Sequence, residues 1–158
     1  MKEIQLTETV KQAIRKIAGE DANFDNLAVF EVTAVNSLPL DKRGTLFEGG
    51  RITRATLQEV ANHINTRGLH LHTLHRAGYE LPVGRVFLAE VVENELDTEV
   101  RALFFLPRDT RADLIADINS GTLDEVSIGM LPKRLLCSEC GWDFLGEDAT
   151  FTNRYMRT

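Results

Sequence analysis

Cysteine is nearly missing from this chain: Cys137 and Cys140 are the two among 158 residues. A close pair in an otherwise Cys-free sequence makes no disulfide framework, which points to a reducing, intracellular setting. No apolar run approaches the roughly 20 residues of a membrane span, so no membrane partner is expected. The N-terminal stretch MKEIQLTETVKQAIRKIAGE is charged and amphipathic and lacks the apolar centre of a secretory signal. Basic residues are outnumbered, 18 Lys+Arg against 24 Asp+Glu, and no dense Lys/Arg cluster occurs. That balance excludes a nucleic-acid surface built on basic side chains. What remains is a chain 43% hydrophobic, long enough for one domain with its own core and a small appendage.

Apolar spacing sets the expected elements. Leu6, Val10, Ala13, Ile14 and Ile17 form a helical stripe over 5–18 that stops at Gly19. Residues 27–37, LAVFEVTAVNS, read as a strand buried on both faces for part of its length. Residues 38–50 hold a proline, three glycines and a charge cluster, and form a long loop. Thr53 caps a second helix over 54–66, with Leu57, Val60, Ala61 and Ile64 inward and Gly68 beyond its end. LHLHTLH (69–75) alternates like a strand. Residues 83–93 and 99–107 read as an antiparallel hairpin around the acidic turn NELDT. Thr110 is the expected cap of a short helix with Leu114, Ile115 and Ile118 inward and Gly121 as its stop. A last strand is expected over 124–132. Without regular βαβ alternation, this order predicts an α+β fold, mainly antiparallel, with helices outside a sheet or barrel. The composition changes near residue 135, which predicts a domain over 1–135 and a tail over 136–158.

Three of the four histidines fall within six residues: His70, His72 and His75. On a strand His70 and His72 share a side, and His75 stands one register off. His63 lies away from the apolar face of its helix and reads as a solvated residue. The run H-x-H-x-x-H resembles the ligand run of metallo-β-lactamase-type hydrolases, which would make the cluster a metal site. That family has an aspartate where this chain has Leu74. Packing or surface roles are a second reading of the cluster. A third is a general base, since imidazole has an unperturbed pKa close to neutrality.

Ser127 stands in the apolar stretch EVSIGM. A strand serine is ordinarily structural, and becomes a nucleophile when a neighbouring base takes its proton. The G-x-S-x-G elbow of α/β-hydrolases is absent, because Glu125, Val126, Ile128 and Gly129 surround the serine. The stretch LHLHTLHRAGYELPVGRV, followed by EVSIGM, resembles the capsid maturation (prohead) proteases of tailed phages, distant relatives of the herpesvirus assembly proteases. Pro82-Val83-Gly84-Arg85-Val86 matches that family's first glycine segment, and Val126-Ser127-Ile128-Gly129-Met130 matches its serine strand. The family's histidine falls on His75, with His72 as the alternative; Leu69, Leu71 and His75 also fit the herpesvirus pattern. The likeness covers about residues 28–132.

The resemblance implies a herpesvirus-protease-like β-barrel flanked by helices, and a serine endopeptidase with Ser127 as nucleophile and His75 as general base. It implies no catalytic cofactor. The implied partners are phage scaffold and major capsid proteins, and the place is the host cytoplasm inside assembling proheads. By analogy with the herpesvirus enzymes, a homo-oligomer is expected. A non-catalytic assembly module of the same fold is the alternative. The family's third catalytic residue, carried on a later strand, has no counterpart after Ser127; Asp143, Glu147 and Asp148 are candidates by composition.

Cys137-Ser-Glu-Cys140-Gly-Trp has the shape of a zinc knuckle, in which a turn aims two thiolates at one ion. Two ligands make half of a tetrahedral site, so the tail reads as an incomplete zinc ribbon holding structural zinc through Cys137 and Cys140. A redox pair and two incidental cysteines are the other readings.

Overall fold

In the computed structural model, which describes residues 1–73 and 81–146, helices begin where a side chain can satisfy an orphan backbone N–H. Helix α1 (Glu8–Ala18) is capped by Thr7, whose hydroxyl accepts from the Val10 N–H at 3.3 Å. Helix α2 (Arg54–Arg67) is capped the same way by Thr53, which accepts from the Thr56 N–H at 3.2 Å. Helix α3 (Ala112–Ser120) begins one residue later than the expected Thr110 cap. Arg111 takes the N-cap position, with no side-chain cap bond. Gly68 ends α2 at φ +67°, and a Cβ there would stand 2.8 Å from Ile17 Cγ2 and 2.9 Å from Val86 O. Glycine is required at that point both by the left-handed backbone and by the close approach.

The strands are β1 (Lys2–Glu3), β2 (Leu27–Asn36), β3 (Leu69–Leu71), β4 (Gly84–Glu93) and β5 (Thr98–Pro107). They form one antiparallel sheet in the order β1-β2-β5-β4-β3. The hairpin β4–β5 forms where the alternation predicts it, closed by the Asn94 N–H donating to Asp97 O at 2.8 Å. Register puts Phe30, Phe104 and Val86 in one row, and Val32, Ala102 and Ala89 in another on the same face. Helix α3 covers this face through Ile115 and Ile118, packed with Ala28, Phe30, Phe104 and Leu106. Helix α2 covers its other end through Leu57, Ala61 and Ile64, against Ala89, Val100 and Ala102. Helix α1 covers the opposite face, with Val10 and Ile14 against Val29 and Phe87. Ala28–Phe30 are therefore buried on both faces, as the unbroken apolar run of β2 predicts. Each buried phenylalanine contributes about 1.5–3 kcal/mol of transfer free energy.

The architecture is α+β with flanking helices, but the sheet is not a barrel. β1 has two residues and β3 three, and the two edges do not pair with each other. Edges this short leave nothing to zip shut. The strand expected over 69–75 is regular for Leu69–Leu71. The strand expected over 124–132 does not form; that segment is irregular and joins no ladder among the described residues.

Two compact units make up the chain. One comprises Met1–Pro39 and Gly50–Ile128, and the other Leu40–Gly49 and the described part of Gly129–Thr158.

Candidate functional site

In the first unit, residues 126–128 keep the alternation of a strand without its hydrogen bonds. Val126 and Ile128 are half-buried and Ser127 between them is exposed. The exit from α3 sets the start of this segment, because the Leu123 N–H donates to Asp117 O at 3.1 Å. The Ser127 hydroxyl makes no hydrogen bond with another described residue.

A cleft of about 490 Å³ lies beside this segment, lined by Asp124–Val126, the N-terminal Met1 and Lys2, Glu31–Thr33 of β2, and Arg101 of β5. It exists because β1 pairs with Phe30 and Glu31 alone, so among the described strands nothing covers the β2 edge from Val32 onward. Its polar wall is held in place from behind. Glu99 accepts from Arg101 Nε at 2.6 Å and from Thr33 Oγ1 at 3.1 Å. Burial alone would raise the Glu99 carboxyl, but the hydrogen bonds from Arg101, Thr33 and Asn94 outweigh it and hold the pKa below the ordinary carboxylate range. The same contact with Glu99 raises the Arg101 pKa further, so the guanidinium stays charged. The sequence reading missed this network. Its signal was present in the polar–apolar alternation Glu99-Val100-Arg101-Ala102.

At the opposite edge of the sheet from β1, β3 pairs with β4, and the connection between these two strands contains His75 in sequence. The Val83 N–H donates to Leu71 O at 2.8 Å and so closes the base of this connection. Gly84 follows, and a Cβ there would collide with Phe105 O and stand 2.7 Å from Leu106 Cδ2. The glycine of the Pro82–Val86 segment is thus required by the close approach of β4 to β5. Arg85 donates to the Arg67 carbonyl at 2.8 Å, tying β4 to the end of α2.

His70 and His72 share a side of the chain, as strand periodicity predicts. Their ring centroids are 6.3 Å apart and the planes are nearly perpendicular, at 77°. His70 is exposed; His72 is half-buried, and its Nδ1 has no hydrogen-bond partner among the described residues. His63 is exposed on α2. His75 lies outside the described residues, as do Glu147 and Asp148. Among the described residues no three His, Cys, Asp or Glu side chains converge as a metal-binding group.

In the second unit, Leu136 and Asp143 form an antiparallel bridge around Cys137 and Cys140, both free thiols. The backbone N–H of Cys140, then that of Glu139, and the Cys140 side chain hydrogen-bond to Cys137 and lower its thiol pKa, outweighing burial and the Glu139 charge. Asp143 is committed locally. Its carboxylate accepts the Leu135 and Leu145 N–H groups, each at 3.0 Å, and an Arg134 Nε contact at 3.1 Å. The two backbone donors and Arg134 hold its pKa below the ordinary value despite some burial. Its oxygens organise the turn.

Comparison with protein-family models, with curated proteins and with solved structures finds no match to this chain.

Proposed function

We propose that this chain is a serine endopeptidase of the prohead-protease type, with Ser127 as nucleophile and His75 as general base. Its substrates are phage scaffold and major capsid proteins, cut inside assembling proheads in the host cytoplasm. The observation that carries this reading is the presentation of Ser127. In a strand-like segment, Ser127 is exposed between half-buried Val126 and Ile128, and Asp124–Val126 just before it line a cleft of about 490 Å³. A structural serine is expected to turn inward and bond to nearby backbone, and Ser127 makes no such bond with a described residue.

In this reading His75 takes the Ser127 proton as Oγ attacks the scissile carbonyl, then returns it to the leaving amine. The ester formed at Oγ is released by water, activated by the same imidazole. The free edge of β2 beside the cleft supports an extended substrate, because unpaired backbone groups at a sheet edge accept a further strand. Asp143 is unsuited to orient the histidine, since its oxygens are occupied by Leu135, Leu145 and Arg134.

Co-expression of the full chain with a phage scaffold protein tests the proposal. Ser127→Ala and His75→Ala are expected to abolish scaffold cleavage, a loss of about 10⁴-fold or more. His63→Ala, on an exposed face of α2, is expected to leave it unchanged. Undiminished cleavage by Ser127→Ala overturns the assignment.

A further inference from the structure

The cysteine turn is built from backbone hydrogen bonds of its own, and these fix how far apart the two cysteines stand. The Cys137 N–H donates to Trp142 O at 2.8 Å and the Phe144 N–H to Leu135 O at 2.7 Å, and the Leu136–Asp143 bridge closes the base. The Asp143 carboxylate holds that base by accepting the Leu135 and Leu145 N–H groups. At the tip the Gly141 N–H donates to Cys137 O at 2.9 Å, which closes an α-turn over Ser138, Glu139 and Cys140. Among the described residues every positive φ belongs to a glycine, so this turn is right-handed. Gly141, at φ +71°, then reverses the chain.

In a single right-handed turn, Cα atoms three residues apart are separated by about 5 Å, given a rise of about 1.5 Å per residue and a radius of about 2.3 Å. A disulfide spans about 4.4–6.8 Å between Cα atoms. The backbone alone therefore holds Cys137 and Cys140 within bridging range. Both are free thiols, Cys140 exposed and Cys137 half-buried. A disulfide uses these two sulfurs and requires no third group from the protein. Hydrogen bonds from the Cys140 and Glu139 N–H groups lower the Cys137 thiol pKa, which favours the thiolate that exchange requires.

We propose that Cys137 and Cys140 form a reversible thiol–disulfide site that exchanges with a small disulfide of the glutathione class. The exposed Cys140 thiolate attacks one sulfur of oxidised glutathione; that S–S bond breaks, a Cys140–glutathione disulfide forms, and one glutathione leaves as thiolate. The Cys137 thiolate then attacks the Cys140 sulfur, the intramolecular bond forms, and the second glutathione leaves. The protein gives up two electrons to the glutathione disulfide, and the protons of its two thiols pass through solvent to the two glutathione thiols. The site is independent of the peptidase reading, and its test does not measure hydrolysis. The reduced full chain, freed of metal by a chelator, is equilibrated in glutathione buffers and alkylated with N-ethylmaleimide. Intact mass and peptide mapping are expected to show a chain lighter by two hydrogens, linked from Cys137 to Cys140 and unlabelled. C137S is expected to keep a glutathione adduct on Cys140 that the unaltered chain sheds. The equilibrium constant for closure should be about tenfold or more higher in the native chain than in guanidinium, because the turn exists before the bond. That comparison uses the unaltered chain and stands even if C137S folds poorly. A glutathione adduct that persists on the unaltered chain overturns the proposal, as does an equilibrium constant no higher in the native state. So does labelling of both cysteines at glutathione ratios that oxidise the unfolded chain.

Discussion

Asn65, near the end of α2, does for β4 what a neighbouring strand does elsewhere. β3 pairs with Gly84–Val86 and then ends, so Ala89 in the sheet interior has no strand on that side. The Asn65 Nδ2 donates to Ala89 O, and its Oδ1 accepts the Ala89 N–H, each at 2.8 Å. An amide supplies one donor and one acceptor in the spacing of a peptide group, so it completes the ladder at a single position. Asn65→Ala leaves both backbone groups unpaired at a residue that is 6% exposed. The expected cost is about 2–3 kcal/mol, read as a lower urea midpoint. Asn65→Asp should not restore it, because a carboxylate offers no donor to Ala89 O. A cost below about 0.5 kcal/mol for Asn65→Ala would show that water replaces the amide freely. Nothing in the sequence announces this role, since the polar run NTR reads simply as the outer face of a helix end.

At the scale of elements, helix ends and the hairpin were legible because their signals are local. Thr53 caps within three residues of itself and Asn94–Asp97 is a turn between two alternating runs, whereas the Thr7 cap of α1 was not singled out and the expected Thr110 cap gives way to Arg111. The errors came where an element depends on a distant neighbour. Two-residue β1 exists because Phe30 and Glu31 offer it an edge, which no pattern in Lys2–Glu3 records. The alternation around Ser127 correctly indicates which side chains turn inward, but a ladder also requires a partner, and 124–132 has none among the described residues. The cross-strand link between β2 and β5 gives a prediction at this scale. Glu99 joins Arg101 and Thr33, its pKa is depressed on folding, and its side chain is 12% exposed. Its contribution to stability is therefore full above the unfolded carboxylate pKa, about 4.3. It is lost as pH falls from there through the lower folded value. Urea unfolding across this acid range should show a smaller decline for Glu99→Gln than for the unaltered chain. Identical declines would mean that the bond to Arg101 is equally strong with a protonated acid.

For the whole molecule, the sequence order of elements sufficed to place helices outside an antiparallel sheet, but it did not reveal that the sheet stays open. Closure is a global property, set by the length and register of the outermost strands, and here those strands have two and three residues. The same distinction holds for the site. Ser127, Cys137 and Cys140 stood out because the patterns that single them out are runs of adjacent residues. The Glu99 network and the cleft arise from segments brought together by folding, among them Lys2, Glu31, Arg101 and Asp124. The peptidase account rests on an activated serine, and the most direct measurement is phosphonylation of the purified chain by a fluorophosphonate at neutral pH. Intact mass and peptide mapping should locate a single adduct on Ser127 that is absent from His75→Ala. No adduct, or an adduct that forms equally fast without His75, would contradict the account.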